Sequence, residues 1–402
     1  MTHEPTFADF NARLREFIRH PSSANPFEVL ALELFRLQFQ HNAAYRRLVA
    51  ARGVVPEKVS AWRDIPAVPT SAFKELELTS LAPEERSTVF FSSGTTEQRR
   101  SRHFHSAESL ALYEDSLRPW FERHLLADVN DLVEEQLLGP LDKLPLLALT
   151  PPPAVAPNSS LVHMFDTVRR ECGARDSQFV GKLDGSGAWT LDLDTALFGI
   201  RKSMCANRPL VLLGTAFNFV HLLDHFATNP ALAGRYQLAR GSRVLETGGY
   251  KGQSREVPKA ELHALITKHL GIAPENIVTE YGMSELSSQA YDRVAGGVQS
   301  PKSNAQGQSN ASPTHSLTHL PTYHFPPWCR AQVISPETGR EVAAGETGLL
   351  RIFDLANVRS VLAIQTEDLA VKRGDGFELI GRAIQAEPRG CSLMSLNTEA
   401  QR

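Results

Sequence analysis

Phe91-Ser92-Ser93-Gly94-Thr95-Thr96 ends an apolar stretch, Thr88-Val89-Phe90-Phe91, in two serines, a glycine and two threonines. That composition suits an anion. Gly94 has no Cβ, so backbone can come close to a ligand, while four hydroxyls and the loop N–H groups supply donors. Arg99, Arg100, Arg102 and His103 follow within a few residues, and cationic side chains there favour a polyphosphate. An ordinary turn accounts for the same residues, and no Gly-Lys-Ser/Thr follows at the P-loop spacing. Three more small motifs come later: Gly248-Gly249-Tyr250, then Tyr281-Gly282-Met283-Ser284-Glu285, then Thr366-Glu367-Asp368-Leu369 with Gly381-Arg382 behind it. Each is expected at a strand end. Ligands of open α/β sheets bind beyond the carboxyl ends of the strands, so four such motifs can converge on one crevice.

The elements that must carry them are legible as patterns. Residues 5–52 read as helices, with Phe27, Val29, Leu30, Leu32, Leu34, Phe35, Leu37 and Phe39 at helical spacing after Asn25-Pro26. Residues 53–87 are a proline-punctuated connection. Ser106 is expected to cap a helix reaching Leu126, with Glu108 in its first turn. Apolar runs at 144–150, 209–214, 242–249 and 276–281 read as strands, and helices are expected from Ser159-Ser160, over 215–226 and over 258–270. Strands alternating with helices predict a parallel, helix-covered sheet. From Gly296 to about Pro321 the chain turns to Ser, Asn, Gln, Pro, Thr and His, the composition of a disordered insertion, and the His315, His319 and His324 spacing is better taken as a polar loop than as a metal site. Short strands at 331–334, 348–352 and 360–364 then give an antiparallel, barrel-like texture.

The 402 residues are 42% hydrophobic and 22% charged, enough to bury one large core or two. A formal net charge of −3 gives nucleic acid and anionic membranes no general attraction. No secretory signal is read at Met1-Thr-His-Glu-Pro, and the most apolar stretch, 209–226, is interrupted by His221, Asp224 and His225 and too short to span a bilayer. A cytoplasmic protein is therefore expected. Cys172, Cys205, Cys329 and Cys391 are scattered without CxxC spacing, against a zinc site or a disulfide framework.

The order and spacing of the four motifs resemble those of the adenylate-forming superfamily of acyl and aryl acid ligases, from about Ile65 to Cys391. Within it the chain is most similar to the LuxE-like acyl-protein synthetases. The segments that carry this are Phe91-Ser-Ser-Gly-Thr-Thr96, Pro151-Pro-Pro153 with Ser159-Ser-Leu-Val-His-Met164, Thr247-Gly-Gly-Tyr-Lys-Gly252, Pro326-Pro-Trp-Cys-Arg330, Asp354-Leu-Ala-Asn357, Ile364-Gln-Thr-Glu-Asp-Leu369 and Arg389-Gly-Cys-Ser-Leu393.

The resemblance implies an α/β fold in which residues 1–365 form the large adenylation domain, helix-covered sheets plus a small barrel-like part, and 366–402 a short C-terminal segment. The mobile C-terminal domain of two-domain ligases is not expected. ATP and Mg²⁺ are implied. The triphosphate would lie on Ser92, Ser93, Gly94, Thr95 and Thr96, and the adenine between Tyr281 and a backbone slot at Gly248 and Gly249, with Gly282 beside it. Ser284 would touch phosphate, Glu285 would hold the metal, Asp368 would bond the ribose and Arg382 would pair with phosphate or ribose. Glu97 departs from the superfamily loop, which has Gly and Lys after its threonines, and leaves phosphate affinity open. Lys251 stands either as a replacement positive charge or as a solvated turn residue. His163 is expected to pack or to line a pocket. Leu213, Gly214, Phe217, Phe219 and Val220, an apolar strand–helix junction, suit an acyl tail, although a plain core helix explains them as well.

The reaction so implied is attack of a carboxylic acid substrate, fatty or otherwise hydrophobic, on the α-phosphate of ATP. Cys391 would then take the acyl group and pass it to a partner, an acyl-protein reductase or an acyl carrier. A ligase to coenzyme A, an activator for a secondary-metabolite pathway and a non-catalytic nucleotide or acyl binder are the alternatives.

Overall fold

The computed structural model describes residues 5–21, 26–92, 99–139, 142–185, 187–232, 234–248, 256–297 and 321–383. Of the expected site, Ser93, Gly94, Thr95, Thr96, Gly249, Lys251 and Cys391 lie outside these residues, as do Glu97 and most of the proposed insertion.

The apolar runs in the middle of the chain form one six-stranded sheet in the order Gln178–Phe179, Leu146–Ala148, Val211–Thr215, Arg243–Thr247, Ile277–Tyr281, Ala290–Tyr291. All neighbours are parallel except the last pair. Every residue of the three central strands is buried, which requires helices on both faces. Alternation along each strand decides which helices. Leu146, Ala148, Val211, Leu213, Leu245 and Val278 point at the helices Ala107–Leu125 and Ser160–Glu171, whereas Leu147, Leu212, Val244 and Ile277 point at Leu193–Cys205, Ala216–Thr228 and Lys259–Leu270.

Helix starts follow the capping residues. Ser106, Ser159 and Thr215 accept a bond from the backbone N–H three residues on, each worth about 1 kcal/mol of helix stability. Gly271 stops its helix in the left-handed conformation, φ 70°.

The C-terminal strands build a second, antiparallel sheet: Thr322–Tyr323, Gly376–Arg382, Ala363–Arg373, Thr347–Asp354, Cys329–Ile334. Val68–Pro69 adds in parallel beside Ala363–Arg373. Its path is open rather than a closed barrel. The Ala363–Arg373 strand runs unbroken across residues 365 and 366, so the described part of the C-terminal segment is built into this sheet. The N-terminal helices Phe7–Arg19, Phe27–His41 and Ala43–Ala50 cover it through Phe10, Leu14, Leu34 and Tyr45.

Two expectations about the motifs change. Ser92 does not leave a strand of the parallel sheet: Thr88–Phe91 pairs antiparallel with Arg102–His105, so the Ser/Thr run connects a hairpin. Asp368 is not at a strand end either, but midway along Ala363–Arg373, beside a register irregularity at Leu369/Ala370 and directly opposite Arg382. A bulge there re-aims the side chain. Among the described residues no helix is long and apolar enough to cross a membrane.

At the start of the Arg243–Thr247 strand, Arg243 is 0% exposed and donates to Asp128 and to the carbonyls of Gly241 and Leu125. Removing its carboxylate partner strands a buried cation. Asp128→Ala is expected to cost about 3–5 kcal/mol in urea denaturation; a loss under about 1 kcal/mol would show that the carbonyls suffice.

Candidate adenylation site

Tyr281 ends its strand at the carboxyl edge of the parallel sheet, and its hydroxyl donates to Asp368 Oδ2 at 2.7 Å. Arg382 Nε donates to the other oxygen, Oδ1, at 3.3 Å. The two sheets therefore meet in this carboxylate. The Tyr281 ring is boxed edge-on by Phe377, Phe325 and Tyr323, with centroids 5.4, 6.2 and 6.2 Å away. Burial, then the Asp368 charge, pushes its phenol well above the usual range, so it remains a donor at any physiological pH. Arg382 is 82% exposed at its side chain, which leaves its ion pair weak and its guanidinium reachable by a ligand.

Across the crevice, Gly248 follows Thr247 with φ 65°, and among the described residues no atom lies within 4 Å of where a Cβ would stand. Space beside a left-handed glycine suits a flat ring against backbone. At Gly282 the space is taken differently: a Cβ there would push the Glu280 carboxyl aside.

The turn after Tyr281 holds the acid expected to meet a metal. Glu285 is 4% exposed, and its Oε2 accepts from Ser284 Oγ at 2.9 Å. No cationic side chain among the described residues pairs with it. A buried carboxylate supported by a hydroxyl and lacking a counter-cation fits a hard divalent ion such as Mg²⁺. The Ser284 hydroxyl is thus spent on Glu285 in this state rather than free for phosphate.

At the hairpin, Ser92 closes the base of the loop. Its N–H donates to Ser101 O at 3.2 Å, and its Oγ accepts from Ser101 N at 2.9 Å. Arg99, Arg100 and Arg102 line an open cleft of about 270 Å³ with Phe91 next to it. His103 is not one of these cations. It points inward, and burial pulls its pKa down to about 4, so the ring is neutral; its Nδ1 lies 3.0 Å from the carbonyl oxygen of Ser284, which accepts from it. The His105 ring lies 4.3 Å from it, tilted by 41°, and is likewise held neutral by burial.

The apolar residues proposed for the acyl tail do not form one group. Leu213 faces the Phe165 side of the sheet, and Gly214, Phe219 and Val220 belong to the opposite face, because neighbouring strand residues point opposite ways. A Cβ on Gly214 would already press on Leu149 and Phe219 at 3.1–3.2 Å, so that face is filled by its own side chains. Phe217, only partly buried, lies 6.2 Å from His221. His163 packs on Phe90 and Tyr113 and lies 3.0 Å from Glu114.

A family model for the LuxE acyl-protein synthetases matches residues 174–400 of this sequence. The chain belongs to that family. Its matched span includes Gly248, Tyr281 to Glu285, Asp368, Arg382 and Cys391, and begins after the Ser92 hairpin. The chain is 22% identical over 388 residues to the long-chain-fatty-acid–luciferin-component ligase of Aliivibrio fischeri, covering 92% of this chain and 87% of that protein. The Vibrio harveyi protein of the same name is 22% identical over 375 residues, covering 89% and 84%. Among solved structures, 2-hydroxyisobutyryl-CoA ligase with 2-HIB-AMP in the postadenylation state superposes with TM-score 0.57 at 11% identity, covering 88% of this chain and 67% of that one. Its open conformation with 2-HIB-AMP and CoA gives TM-score 0.55 at 12% identity, with 93% and 69% covered. These two likenesses establish the fold, that of an adenylate-forming ligase.

Glu280 escaped the sequence reading. It is 7% exposed on the strand just before Tyr281, bonded to the Thr247 hydroxyl, with no cation partner among the described residues. Desolvation raises its carboxyl to about 7. The folded state therefore holds a proton that the unfolded chain loses near pH 4.5, so stability falls as pH rises from there through 7 and is flat above. Glu280→Gln keeps the Thr247 bond without the charge. It should be as stable as the parent at pH 4 and roughly 3 kcal/mol more stable at pH 8 in urea denaturation; parallel pH–stability curves would contradict this.

Proposed function

We propose that this chain activates a long-chain fatty acid, or another hydrophobic carboxylic acid, with ATP and passes the acyl group through Cys391 to a partner protein. The observation that carries the reading is the meeting of Tyr281, Asp368 and Arg382 from two sheets beside the open Gly248 backbone and Glu285, in a chain of the acyl-protein synthetase family.

A carboxylate oxygen of the acid attacks the α-phosphorus of ATP, the bond from that phosphorus to the bridging oxygen breaks, and pyrophosphate leaves. The carboxylate is itself the nucleophile. No general base is needed, so the protein acts by holding reactants in line and neutralising charge. Tyr281 and the Gly248 backbone would sandwich the base, Asp368 would exchange the Tyr281 or Arg382 bond for ribose hydroxyls, and Arg382 would swing to phosphate. The loop from Ser92 to Thr96 and the arginines at 99, 100 and 102 would receive the leaving pyrophosphate. Bound at Glu285, Mg²⁺ would supply Lewis-acid neutralisation of the phosphates.

In the second step a thiolate attacks the acyl carbonyl, the carbon–oxygen bond to AMP breaks, and a thioester forms. Burial pushes the Cys172 thiol up to about 12 and that of Cys329 well above its usual range, so neither is a competent nucleophile. Cys205 ends the helix that leads into the Val211–Thr215 strand, at the edge of the sheet opposite the crevice. Cys391, within Arg389-Gly-Cys-Ser-Leu393, is the remaining thiol. Thioester passed on from there would suit an acyl-protein reductase or an acyl carrier. ATP and a reduced thiol are both supplied by the cytoplasm, where this reading places the protein.

Incubation with ATP and radiolabelled fatty acid should leave hydroxylamine-sensitive label on the protein. Cys391→Ser should abolish that label while AMP-linked acid still accumulates. Undiminished hydroxylamine-sensitive label on the Ser variant would overturn the acceptor assignment.

A further inference from the structure

Two conspicuous segments, Pro326-Pro-Trp-Cys-Arg330 and Asp354-Leu-Ala-Asn357, take no part in the reaction above. Both lie in the antiparallel sheet or at its margin; the second bonds the turn that carries Glu285 directly, and the first is linked to it through Ser116. Asp354 is 0% exposed. Its Oδ2 accepts from Ser287 N at 2.9 Å, and its Oδ1 accepts from Ser288 Oγ at 2.7 Å and from Ala356 N at 3.0 Å. Asn357 Nδ2 donates to the carbonyl of Glu285 itself at 2.9 Å and to that of Val361 at 3.2 Å. From the opposite side comes the His103 bond to the carbonyl of Ser284, 3.0 Å.

The hydrogens run one way. Trp328 Nε1 donates to Ser116 Oγ at 2.7 Å, and the Ser116 and Ser288 hydroxyls are 3.0 Å apart. Since the Ser288 proton goes to Asp354, Ser116 must donate to Ser288. The relay starts on an indole, which can only donate, and ends on a carboxylate, which accepts. Trp328 is fixed in turn by the bond from Leu355 N to its carbonyl, 3.1 Å. Every polar group from Ser284 to Ser288 that these residues touch is thereby committed to one geometry.

We propose that Asn357, Asp354 and His103 are positioning residues that fix the Glu285 carboxylate for a divalent metal bound with the nucleotide, with Trp328 and Ser116 holding Asp354's donor in place. The inference rests on the reading that Glu285 holds that metal. Groups that orient a ligand from behind typically contribute 10–100-fold to metal affinity. A packing role predicts something different: it would be indifferent to which atom of residue 103 carries a hydrogen.

That difference is testable in the full chain without turnover. The probe is α,β-methylene-ATP, which cannot be split between its first two phosphates. Its binding is measured metal-free by calorimetry and with Mn²⁺ by water-proton relaxation enhancement, which distinguishes protein-bound from free Mn²⁺–nucleotide. Asn357→Ala should weaken the Mn²⁺–nucleotide complex about 10–100-fold and leave metal-free binding within about twofold. His103→Asn places an amide N–H where Nδ1 stood, and His103→Gln places it where Nε2 stood, so the Asn variant should bind the Mn²⁺ complex at least about tenfold more tightly than the Gln variant. Should Asn357→Ala fail to fold, the His103 pair decides. Wild type that binds the two nucleotide forms equally well would overturn the metal reading of Glu285 and this inference with it. Wild type that prefers the Mn²⁺ form, with Asn357→Ala unchanged or the two His103 variants alike, would overturn the positioning role alone.

Discussion

A buried aspartate governs the layout. The segment Ser284–Ser288 leaves the parallel sheet and has to lie against the antiparallel one, and Asp354 holds it there from a position that no water reaches. Taking a carboxylate out of water costs several kcal/mol unless donors replace the solvent. Here the donors are the backbone of Ser287 and Ala356 and the hydroxyl of Ser288, so the cost is offset only when the segment, the strand and the Trp328 relay are all in register. Burial holds the Asp354 carboxyl above its usual range, and the bonds from Ser288, Ser287 and Ala356 offset only part of that rise, so its charge depends on its partners. An arrangement of this kind gives a unique docking more than it gives net stability.

From that docking the rest of the crevice follows. With the turn fixed, Tyr281 at the end of its strand reaches Asp368, and the strand Gly376–Arg382 brings Arg382 opposite Asp368. Gly248 on the neighbouring parallel strand leaves open space beside the same edge. Residues far apart in sequence thus share one site because the two sheets are tied together by the Tyr281–Asp368 bond, by the Asp354 and Asn357 bonds to the turn, and by the backbone bridge of Tyr291 with His324. Glu280, the buried residue before Tyr281, is bonded to the Thr247 hydroxyl of the neighbouring strand. A second buried anion beside Glu246 would be unfavourable, and the raised pKa of Glu280 lets it remain uncharged up to about neutral pH.

Elements with strong periodicity or a cap were legible: the helices that start at Ser106, Ser159 and Thr215, and the three buried central strands, whose continuous apolar runs permit little else. The order of the small motifs disclosed the family. The hairpin that carries Ser92 was not legible, because the inward-facing residues of Arg102–His105 are two histidines and read as polar. Its partner strand, Thr88–Phe91, is apolar enough to read as a strand, but pairing is a long-range fact. The helix Leu193–Cys205 and the hairpin of Gly181–Leu183 with Trp189–Leu191 passed unnoticed, the latter because three-residue strands carry almost no pattern. Sequence spacing also grouped Leu213 with Phe219, although a sheet separates them. Charge is misjudged where burial reverses it: His103 reads as a cation and is neutral, and Glu280, which carries no signal beyond its place in an expected strand, is buried and not readily ionised. Asp354 and Asn357 were visible as a motif without a role. Their role lies in bonds to a turn some 70 residues away.

The central claim is that this crevice forms an acyl adenylate. Exchange of labelled pyrophosphate into ATP measures that step without any acceptor, and it should be tested over a panel of fatty, hydroxylated and aromatic carboxylic acids. The account predicts exchange that requires both an acid from the hydrophobic part of the panel and a divalent metal, and that is lost on Asp368→Ala. Exchange absent with every acid, or present without any acid, would contradict it.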